Sequence, residues 1–293
     1  MSLPKYLFLG SVIISALSLL VACSPLKTLN AVIPDNDYMV TKDIAYGELP
    51  RQKLDVYVPR MPKPNVVATQ DKRPVVVFFY GGRWESGNRV DYKFVAEALT
   101  SQGFIAIIPD YRIYPEVLFP GFMADPASAA KWAKQHAAEY GGDPQRIFLV
   151  GHSAGAHIAV MLSLNNEYLA VQGLKPADFR GTIGMAGAYD FLPLKKERMK
   201  IIFGPEQDRW KSQPINFVTG SNSPMLLVVG KQDTLVWPKN TYNLAAKIKA
   251  AGGPVEVVEY PDLGHIDLIA KLARPFRGDG ELLQAMAEFI RSH

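Results

Sequence analysis

The feature that most constrains the fold of this chain is the alternation of short apolar runs with helical patterns that begins near residue 38. Most runs are continuous and apolar, as expected for strands buried on both faces of a sheet. Strands separated by helices favour a mostly parallel sheet covered by helices on both faces, an α/β architecture. Lys53–Val58 predicts an early antiparallel strand. The other predicted strands are Val75–Tyr80, Phe104–Pro109, Ile147–Val150, Thr182–Ala186, Met225–Val229 and Val255–Tyr260.

Helix boundaries support the same architecture. Asp125-Pro126 supplies an N-cap and a first-turn proline, and Gly141 can end the helix that follows. The other strong helix patterns are Ala154–Leu164, Thr241–Ala251 and Glu281–Arg291. With 293 residues, of which 48% are hydrophobic, the chain is long enough for a sizeable core.

Charge and cysteine content exclude several classes of function. The net charge of +4 is modest and the basic residues are scattered, so the sequence indicates no nucleic-acid partner. The single cysteine excludes an intrachain disulfide and any metal site that needs several thiolates.

That cysteine follows an apolar N-terminal segment, Tyr6–Ala22, which Lys5 precedes. The residues Leu-Val-Ala before Cys23 resemble the lipobox of bacterial lipoproteins. The resemblance implies a signal peptide over 1–22, a lipid on Cys23 and a tether over 23–37. The protein would then lie in the cell envelope, anchored by lipid to a membrane. Ser24 resembles the outer-membrane sorting pattern of a Gram-negative source. An uncleaved transmembrane anchor is the alternative, although the segment is short for a span.

The strongest chemical motif is GHSAG at residues 151–155, which fits G-x-S-x-G. In that pattern a strand turns sharply into a helix and exposes the serine hydroxyl at the top of a sheet. Glycine at either flank tolerates the close approach that such a turn requires. Since the motif lies between a predicted strand and the helix Ala154–Leu164, Ser153 is the candidate nucleophile.

A serine nucleophile needs a base and an orienting acid. Of the five histidines, His265 lies on a loop after a predicted strand and is the candidate base. His152 should point away from the hydroxyl, and His157, one helical turn on, is a minor candidate for a functional contact. His136 shares an apolar helix stripe, which favours a structural role, and His293 is the last residue.

The acid should follow a neighbouring strand. Asp233 comes after the run LLVV and a glycine turn, and is the candidate. Asp190 follows an earlier strand, and Asp262 is close to the histidine along the chain; both stay open as alternatives, and either can be a turn or surface residue.

The order Ser153, Asp233, His265 resembles that of α/β-hydrolases. From about residue 38 onward the chain is similar to their esterase/lipase branch, including carboxylesterases of the hormone-sensitive-lipase type and feruloyl-esterase and formamidase-like relatives. The stretch PDYRIYPE at 109–116 is similar to the D-Y-R-L-A-P-E of that branch. There we expect Asp110 and Arg112 to form an ion pair that braces the loop.

Acyl transfer also needs N–H donors for the oxyanion. The backbone of Ala154 is one expected donor. The resemblance places the others after the strand ending at Tyr80, where the branch carries H-G-G-G or H-G-G-x-W and this chain has YGGRW. Backbone donors at Gly82 and Arg83 survive both changes. Tyr80 can be a buried aromatic without a catalytic role, and Arg83 can face an acidic substrate group or solvent.

These patterns predict a membrane-tethered serine hydrolase that cleaves small carboxylic esters through an acyl-enzyme, with no metal or organic cofactor. The catalytic domain would span 38–293, with a cap over 191–223 that helps select the substrate. Amide cleavage, as in formamidases or peptidases, is the alternative chemistry. A non-catalytic binding lipoprotein on the same scaffold is the alternative class.

Overall fold

The computed structural model describes residues 29–30, 32–60 and 72–293. The predicted signal peptide and Cys23 lie outside the described residues. The part of the predicted tether that is described packs on the domain instead of extending from it. Ile33 is buried, and the Asn30 side chain donates to the Val90 carbonyl oxygen over 3.0 Å. Burial of an apolar side chain and pairing of a polar one together fix this end of the segment.

The described residues contain one eight-stranded sheet of order β1-β2-β4-β3-β5-β6-β7-β8. The pairs β1–β2 and β2–β4 are antiparallel, and the remaining pairs are parallel. The strands are β1 Tyr38–Ala45, β2 Lys53–Pro59, β3 Arg73–Phe79, β4 Ile105–Pro109, β5 Gly142–His152, β6 Gly181–Met185, β7 Met225–Gly230 and β8 Val255–Tyr260.

Most of the predicted strands form where apolar runs are buried on both faces; β8, at the other edge of the sheet, is half-buried or exposed. Every residue of β4, β6 and β7 is buried. Strand β1 was not predicted: it lies at the edge of the sheet and, apart from Tyr38, its residues are exposed or half-buried. An edge strand with one solvated face and no regular alternation has no strong sequence signal.

Helices cover the sheet between the strands. The predicted helices are confirmed with small boundary shifts, although Asp125 is the second residue of its helix and not its N-cap, and short helices without a clear pattern appear beside them. They are α1 Lys93–Ser101, α2 Ala124–His136, α3 Ala154–Leu164, α4 Asn166–Ala170, α5 Glu197–Ile202, α6 Lys239–Ala250, α7 His265–Ala270 and α8 Glu281–Ser292. Across 29–30, 32–60 and 72–293, no helix has the length and apolar character needed to cross a bilayer.

The order of the strands determines which loops lie together at one edge of the sheet. The chain runs from β3 outward to β4 on one side and from β5 outward to β6, β7 and β8 on the other. The order therefore reverses between β3 and β5, and ligands of open α/β sheets bind at the carboxyl ends of strands beside such a switch. The loops after β3, β5, β7 and β8 all lie at that edge.

The segment 191–223 forms α5 and two 3-10 turns, Glu206–Ser212 and Pro214–Phe217. Its aromatic side chains pack on the domain: the ring centroids of Phe203 and Trp84 are 4.8 Å apart, at nearly a right angle. The segment therefore has a buried attachment to the domain. Its selection of substrate stays a prediction.

The predicted ion pair between Asp110 and Arg112 is wrong. Arg112 instead binds Asp125 at the start of α2, with nitrogen–oxygen distances of 2.8 and 2.7 Å. Asp110 pairs with Arg89. The two residues are two positions apart just beyond β4, and each finds its partner on a different element. Both still act as structural residues, as expected, but in separate contacts.

Candidate active site

The serine lies on a strained turn between β5 and α3. Ser153 has φ 56° and ψ −120°, a conformation that non-glycine residues rarely adopt. A Cβ at Gly151 would come within 2.2 Å of the Gly155 carbonyl oxygen, and one at Gly155 within 2.0 Å of the Phe79 carbonyl oxygen. The turn therefore folds against itself and against the end of β3, and both glycines of the motif are needed for that approach. Strain of this kind persists where the surrounding structure holds it and often marks a functional site.

His265, the first residue of α7, lies directly against this serine. Its Nε2 is 2.8 Å from Ser153 Oγ. Its Nδ1 is 2.7 Å from Asp233 Oδ2. A carboxylate only accepts, so Nδ1–H donates to Asp233 and Nε2 is left to accept from the serine hydroxyl. The structure brings together the three residues that the sequence singled out, in hydrogen-bonded order.

Asp233 is held by its own loop. Its Oδ1 accepts from the backbone N–H groups of Leu235 and Val236, at 2.9 and 2.8 Å. The loop after β7 also meets the loop after β8, since a Cβ at Gly230 would lie 2.2 Å from the Leu263 carbonyl oxygen. This close approach brings the carboxylate under the imidazole of His265.

The two alternative acids lie elsewhere. Asp190 accepts from the Asn243 side chain over 2.6 Å. Asp262 is exposed in the turn after β8. Among the described residues, neither carboxylate makes a hydrogen bond or ion pair to His265.

His152 is hydrogen-bonded to the candidate base, and their ring centroids are 4.8 Å apart. Its Nε2 donates to the backbone carbonyl oxygen of His265 over 3.1 Å. Burial, together with the neighbouring His265, lowers the pKa of His152 to about 3. The ring is therefore neutral at physiological pH and joins the nucleophile turn to the histidine loop. Sequence reasoning missed this contact, which joins residues 113 positions apart.

His157 makes no side-chain contact with the serine. Its Nε2 donates to the Ser212 carbonyl oxygen over 2.8 Å, which ties α3 to the segment 191–223. Burial lowers the pKa of His157 to about 4, so this ring is also neutral. His136, also outside the site, stacks on Trp132 with ring centroids 4.6 Å apart.

The loop after β3 approaches the serine through its glycines. A Cβ at Gly81 would lie 3.1 Å from Ser153 Cβ. Gly82 has φ +136°, and a Cβ there would meet the Ser86 carbonyl oxygen at 2.1 Å. Arg83 and Trp84 follow with φ 55° and 57°. Three consecutive left-handed residues turn the loop back on itself, in a conformation that the pattern YGGRW alone does not reveal.

This loop and the residue after the nucleophile contain the backbone N–H groups from which the sequence predicts oxyanion donors. Ala154 is the first residue of α3, so its backbone N–H has no intrahelical acceptor. Gly82 and Arg83 lie one and two positions beyond Gly81, at the same edge of the sheet. The carbonyl oxygen of Gly82 already accepts from the N–H groups of Glu85 and Ser86.

Tyr80, which stands where the esterase/lipase branch carries histidine, is completely buried, and its hydroxyl is hydrogen-bonded to residues other than the serine. Its hydroxyl donates to Asp110 Oδ1 over 2.8 Å and accepts from Arg51 over 3.2 Å. Its ring stacks between Tyr92 and Tyr111, with centroids 5.3 and 4.7 Å away. Burial raises the pKa of Tyr80 well above its usual value.

The partner of Tyr80 belongs to a buried ionic cluster. Arg89 binds the carboxylates of Asp110, Asp43 and Asp55, the last with a nitrogen–oxygen distance of 2.9 Å. Its backbone N–H also donates to Asp110 Oδ1, 2.7 Å away. No local pattern in the sequence indicates this cluster, because its members come from separate elements.

Chemically, the arrangement suits general-base activation of a serine hydroxyl beside backbone donors. Within the part of the chain that the structure describes, no group of three or more His, Cys, Asp or Glu side chains is arranged to hold a metal ion.

The mostly parallel sheet, flanked by helices, with serine, aspartate and histidine after β5, β7 and β8, defines an α/β-hydrolase fold. The BD-FAE family model matches residues 54–248, which is more than half of the chain. The chain belongs to the BD-FAE family.

Named proteins are similar to it over most of its length. A probable isoprenylcysteine alpha-carbonyl methylesterase of Arabidopsis thaliana is 27% identical over 82% of this chain and 53% of its own. A probable carboxylic ester hydrolase of Mycobacterium tuberculosis is 28% identical over 78% of this chain and 56% of its own. The chain thus spans about half the length of these curated relatives.

A solved structure shows the same fold. Esterase B from Lactobacillus rhamnosis, inhibited by a tributyrin phosphonate, superposes with a TM-score of 0.78 at 19% identity, over 99% of this chain and 96% of its own.

Proposed function

We propose that this protein is a serine esterase that hydrolyses carboxylic esters through an acyl-enzyme. The observation that carries the proposal is the hydrogen-bonded series from Ser153 Oγ to His265 Nε2, at 2.8 Å, and from His265 Nδ1 to Asp233, at 2.7 Å. Each of these links lies within the distance required for proton transfer and for orientation of the base.

Each residue of the site has a distinct role in the proposed reaction. Ser153 Oγ attacks the ester carbonyl carbon while His265 Nε2 takes the hydroxyl proton. Asp233 keeps the ring in the required tautomer and stabilises the imidazolium. The backbone N–H groups of Gly82, Arg83 and Ala154 stabilise the oxyanion.

Collapse of the tetrahedral intermediate breaks the bond to the alcohol oxygen, which receives the proton from His265. Water, with its proton taken by the same nitrogen, then attacks the acyl-Ser153 ester. The carboxylic acid leaves and the serine hydroxyl is restored.

His152 has a positioning role in this scheme. Its Nε2–H holds the backbone of His265 from the nucleophile turn, and its depressed pKa keeps the ring neutral beside the imidazolium that forms during turnover. A second fixed cation there would oppose protonation of His265.

The names of the relatives support ester chemistry. The Arabidopsis thaliana protein is named as a methylesterase and the Mycobacterium tuberculosis protein as a carboxylic ester hydrolase. Because these relatives are longer than the chain, their own substrates are not transferred to it.

The test is covalent labelling combined with a substrate panel. A fluorophosphonate should label the wild-type protein, and Ser153→Ala should abolish the label while the protein stays folded. para-Nitrophenyl esters should be hydrolysed, whereas the matched para-nitroanilides should react far more slowly. Labelling that persists in Ser153→Ala would reject the nucleophile. Faster cleavage of the anilides would replace the esterase by an amidase, and a protein that neither labels nor turns over would be a binding protein.

We also propose that Cys23 carries a lipid that anchors the protein to a membrane of the cell envelope. The support is the sequence alone: an apolar segment after Lys5 and small residues before the cysteine. Several acyl chains together would anchor the protein stably, where one binds only marginally. Mass spectrometry of the mature N-terminus should show a lipidated Cys23, and Cys23→Ser should remove the lipid. An unmodified cysteine or an intact Met1 would reject the anchor.

A further inference from the structure

A surface cleft borders the loop that follows β3. It has a volume of about 540 Å³, and Arg83, Glu85, Ser86, Tyr114, Pro115 and Arg198 line it. Arg83 belongs to the predicted oxyanion loop. The Cα atoms of Arg83 and Gly81 are two positions apart in the chain, so the distance between them is at most about 7.6 Å. A Cβ on Gly81 would contact Ser153. An ester held at the serine therefore lies near Arg83, which lines this cleft.

Two guanidinium groups in the cleft share one carboxylate. Arg83 and Arg198 approach Glu85 with nitrogen–oxygen distances of 3.4 and 3.5 Å. Within the described ranges, no other carboxylate lies within 4.0 Å of either guanidinium. The trio therefore carries a net charge of +1. Both contacts are longer than the roughly 2.7–2.9 Å of a tight charge-assisted hydrogen bond, so Glu85 orients the guanidiniums without using up their donors.

Both arginines remain accessible to a ligand. Their side chains are 69% and 53% exposed, whereas that of Glu85 is 25% exposed. The guanidinium of Arg198 is also placed over the Tyr114 ring, 4.8 Å from its centroid, which limits its freedom. Each guanidinium presents a planar fork of donors, and such forks match the two oxygens of a carboxylate.

The backbone conformation of Arg83 also supports a binding role for its side chain. Arg83 has φ 55°, a conformation that costs energy in any residue with a side chain and that glycine adopts freely. A glycine would fit this position of the loop, yet the sequence holds an arginine whose long side chain reaches the cleft. Retained strain of this kind is typical of a residue with a functional contact.

We infer that the cleft is a subsite for a carboxylate on the substrate, so that the protein prefers esters that carry a negative charge near the scissile bond. This inference rests on the proposed esterase activity. The carboxylate belongs to either the acyl or the alcohol part, and the experiment separates the two.

The experiment compares kcat/KM for matched pairs. In the acyl arm, the mono-para-nitrophenyl ester of adipic acid is compared with para-nitrophenyl hexanoate. In the alcohol arm, para-hexanoyloxybenzoate is compared with para-hexanoyloxybenzamide. The wild-type protein should favour the charged member in one arm, and that arm identifies the side. The preference should decline as salt screens exposed charges.

Variants link the preference to the cleft. Arg198→Gln and Arg83→Gln should each lower the ratio of charged to neutral kcat/KM by about threefold, the scale of an exposed ion pair. Glu85→Gln should raise the ratio, because it frees both guanidiniums. Arg146→Gln is the matched control: it removes one positive charge from the middle of β5, seven positions before Ser153, and should leave the ratio unchanged.

The inference is overturned if the wild-type protein favours the neutral member in both arms, or if Arg198→Gln behaves like Arg146→Gln. If a variant folds poorly, the salt dependence of the wild-type ratio tests the inference instead, because a preference that depends on charge should decline as salt is added. Neither result contradicts the proposed esterase activity. That activity would be rejected if the neutral esters were not hydrolysed.

Discussion

The two sides of the candidate active site are held in place by different kinds of contact. On the triad side, Asp233 is fixed by N–H groups two and three residues further along its own loop. On the oxyanion side, Tyr80 is fixed by Asp110, 30 residues away in the chain, and Asp110 is in turn held by Arg89. The first side is built from local loops on adjacent strands. The second depends on a buried ionic cluster.

Because of this difference, we expect variants on the triad side to change mainly kcat and variants on the other side to change mainly the free energy of unfolding. A conservative change on the triad side removes a proton-transfer or orienting group and leaves most packing intact. A change in the buried cluster removes charge-assisted hydrogen bonds that join separate elements, so it should lower the free energy of unfolding first and affect the rate through the position of the loop. Four variants test this contrast.

The largest effect should come from Asp233→Asn. The amide oxygen can still accept from the loop N–H groups, but His265 loses the partner that sets its tautomer, and kcat should fall by about 10⁴-fold. The free energy of unfolding, from urea titration, should change by only about 1 kcal/mol. Asp190→Asn is the control and should keep normal kcat. If the two variants exchange these results, Asp190 is the acid.

Next in size, Asp110→Asn should destabilise the protein by about 3 kcal/mol, because the buried carboxylate that accepts from the Tyr80 hydroxyl and from the side chain and backbone of Arg89 is replaced by a neutral amide. Urea denaturation measures this, with the exposed Asp262→Asn as control. The loss of kcat should be much smaller than in Asp233→Asn. Unchanged stability would mean that the cluster does not support the oxyanion loop.

Gly82→Val should lower kcat by about 10²-fold, the scale of one lost oxyanion donor. The new Cβ would meet the Ser86 carbonyl oxygen at 2.1 Å and would require a φ of +136° that valine resists, so the loop must shift. Gly173→Val is the control: its φ is +73°, but no atom lies within 4 Å of its Cβ. It should lose a little stability and no rate. Near-normal kcat in Gly82→Val would remove this residue from the oxyanion site.

The smallest effect should come from Tyr80→Phe. Its hydroxyl faces Asp110 and Arg51, so we expect a loss of about 1 kcal/mol in unfolding free energy and little change in kcat. Tyr111→Phe, which removes the hydroxyl that donates to the Tyr80 carbonyl oxygen over 2.6 Å, is the matched control. A selective collapse of kcat in Tyr80→Phe would show that the tyrosine hydroxyl takes part in the reaction.

The contrast between local and long-range contacts also explains which features could be predicted from the sequence. Strands β2 to β8 were predicted from their apolar runs, most of which are buried, whereas the exposed edge strand β1 was not predicted. Ser153, Asp233 and His265 each follow a predicted strand, and a position at the end of a strand can be recognised locally. Arg89 and Asp55 follow no such pattern, and the partner of Asp110 was predicted wrongly.

By itself, then, the sequence determined the α/β architecture and the order of the residues at the strand ends, since apolar periodicity and glycine-flanked turns are local properties of the chain. Only the tertiary structure decided what each long-range polar group contacts. It placed Asp110 with Arg89, bound the Tyr80 hydroxyl to Asp110 and Arg51, and joined His152 to His265. A buried polar group must find a partner, but any nearby polar group can serve, and which one is near depends on how the whole sheet and its loops pack.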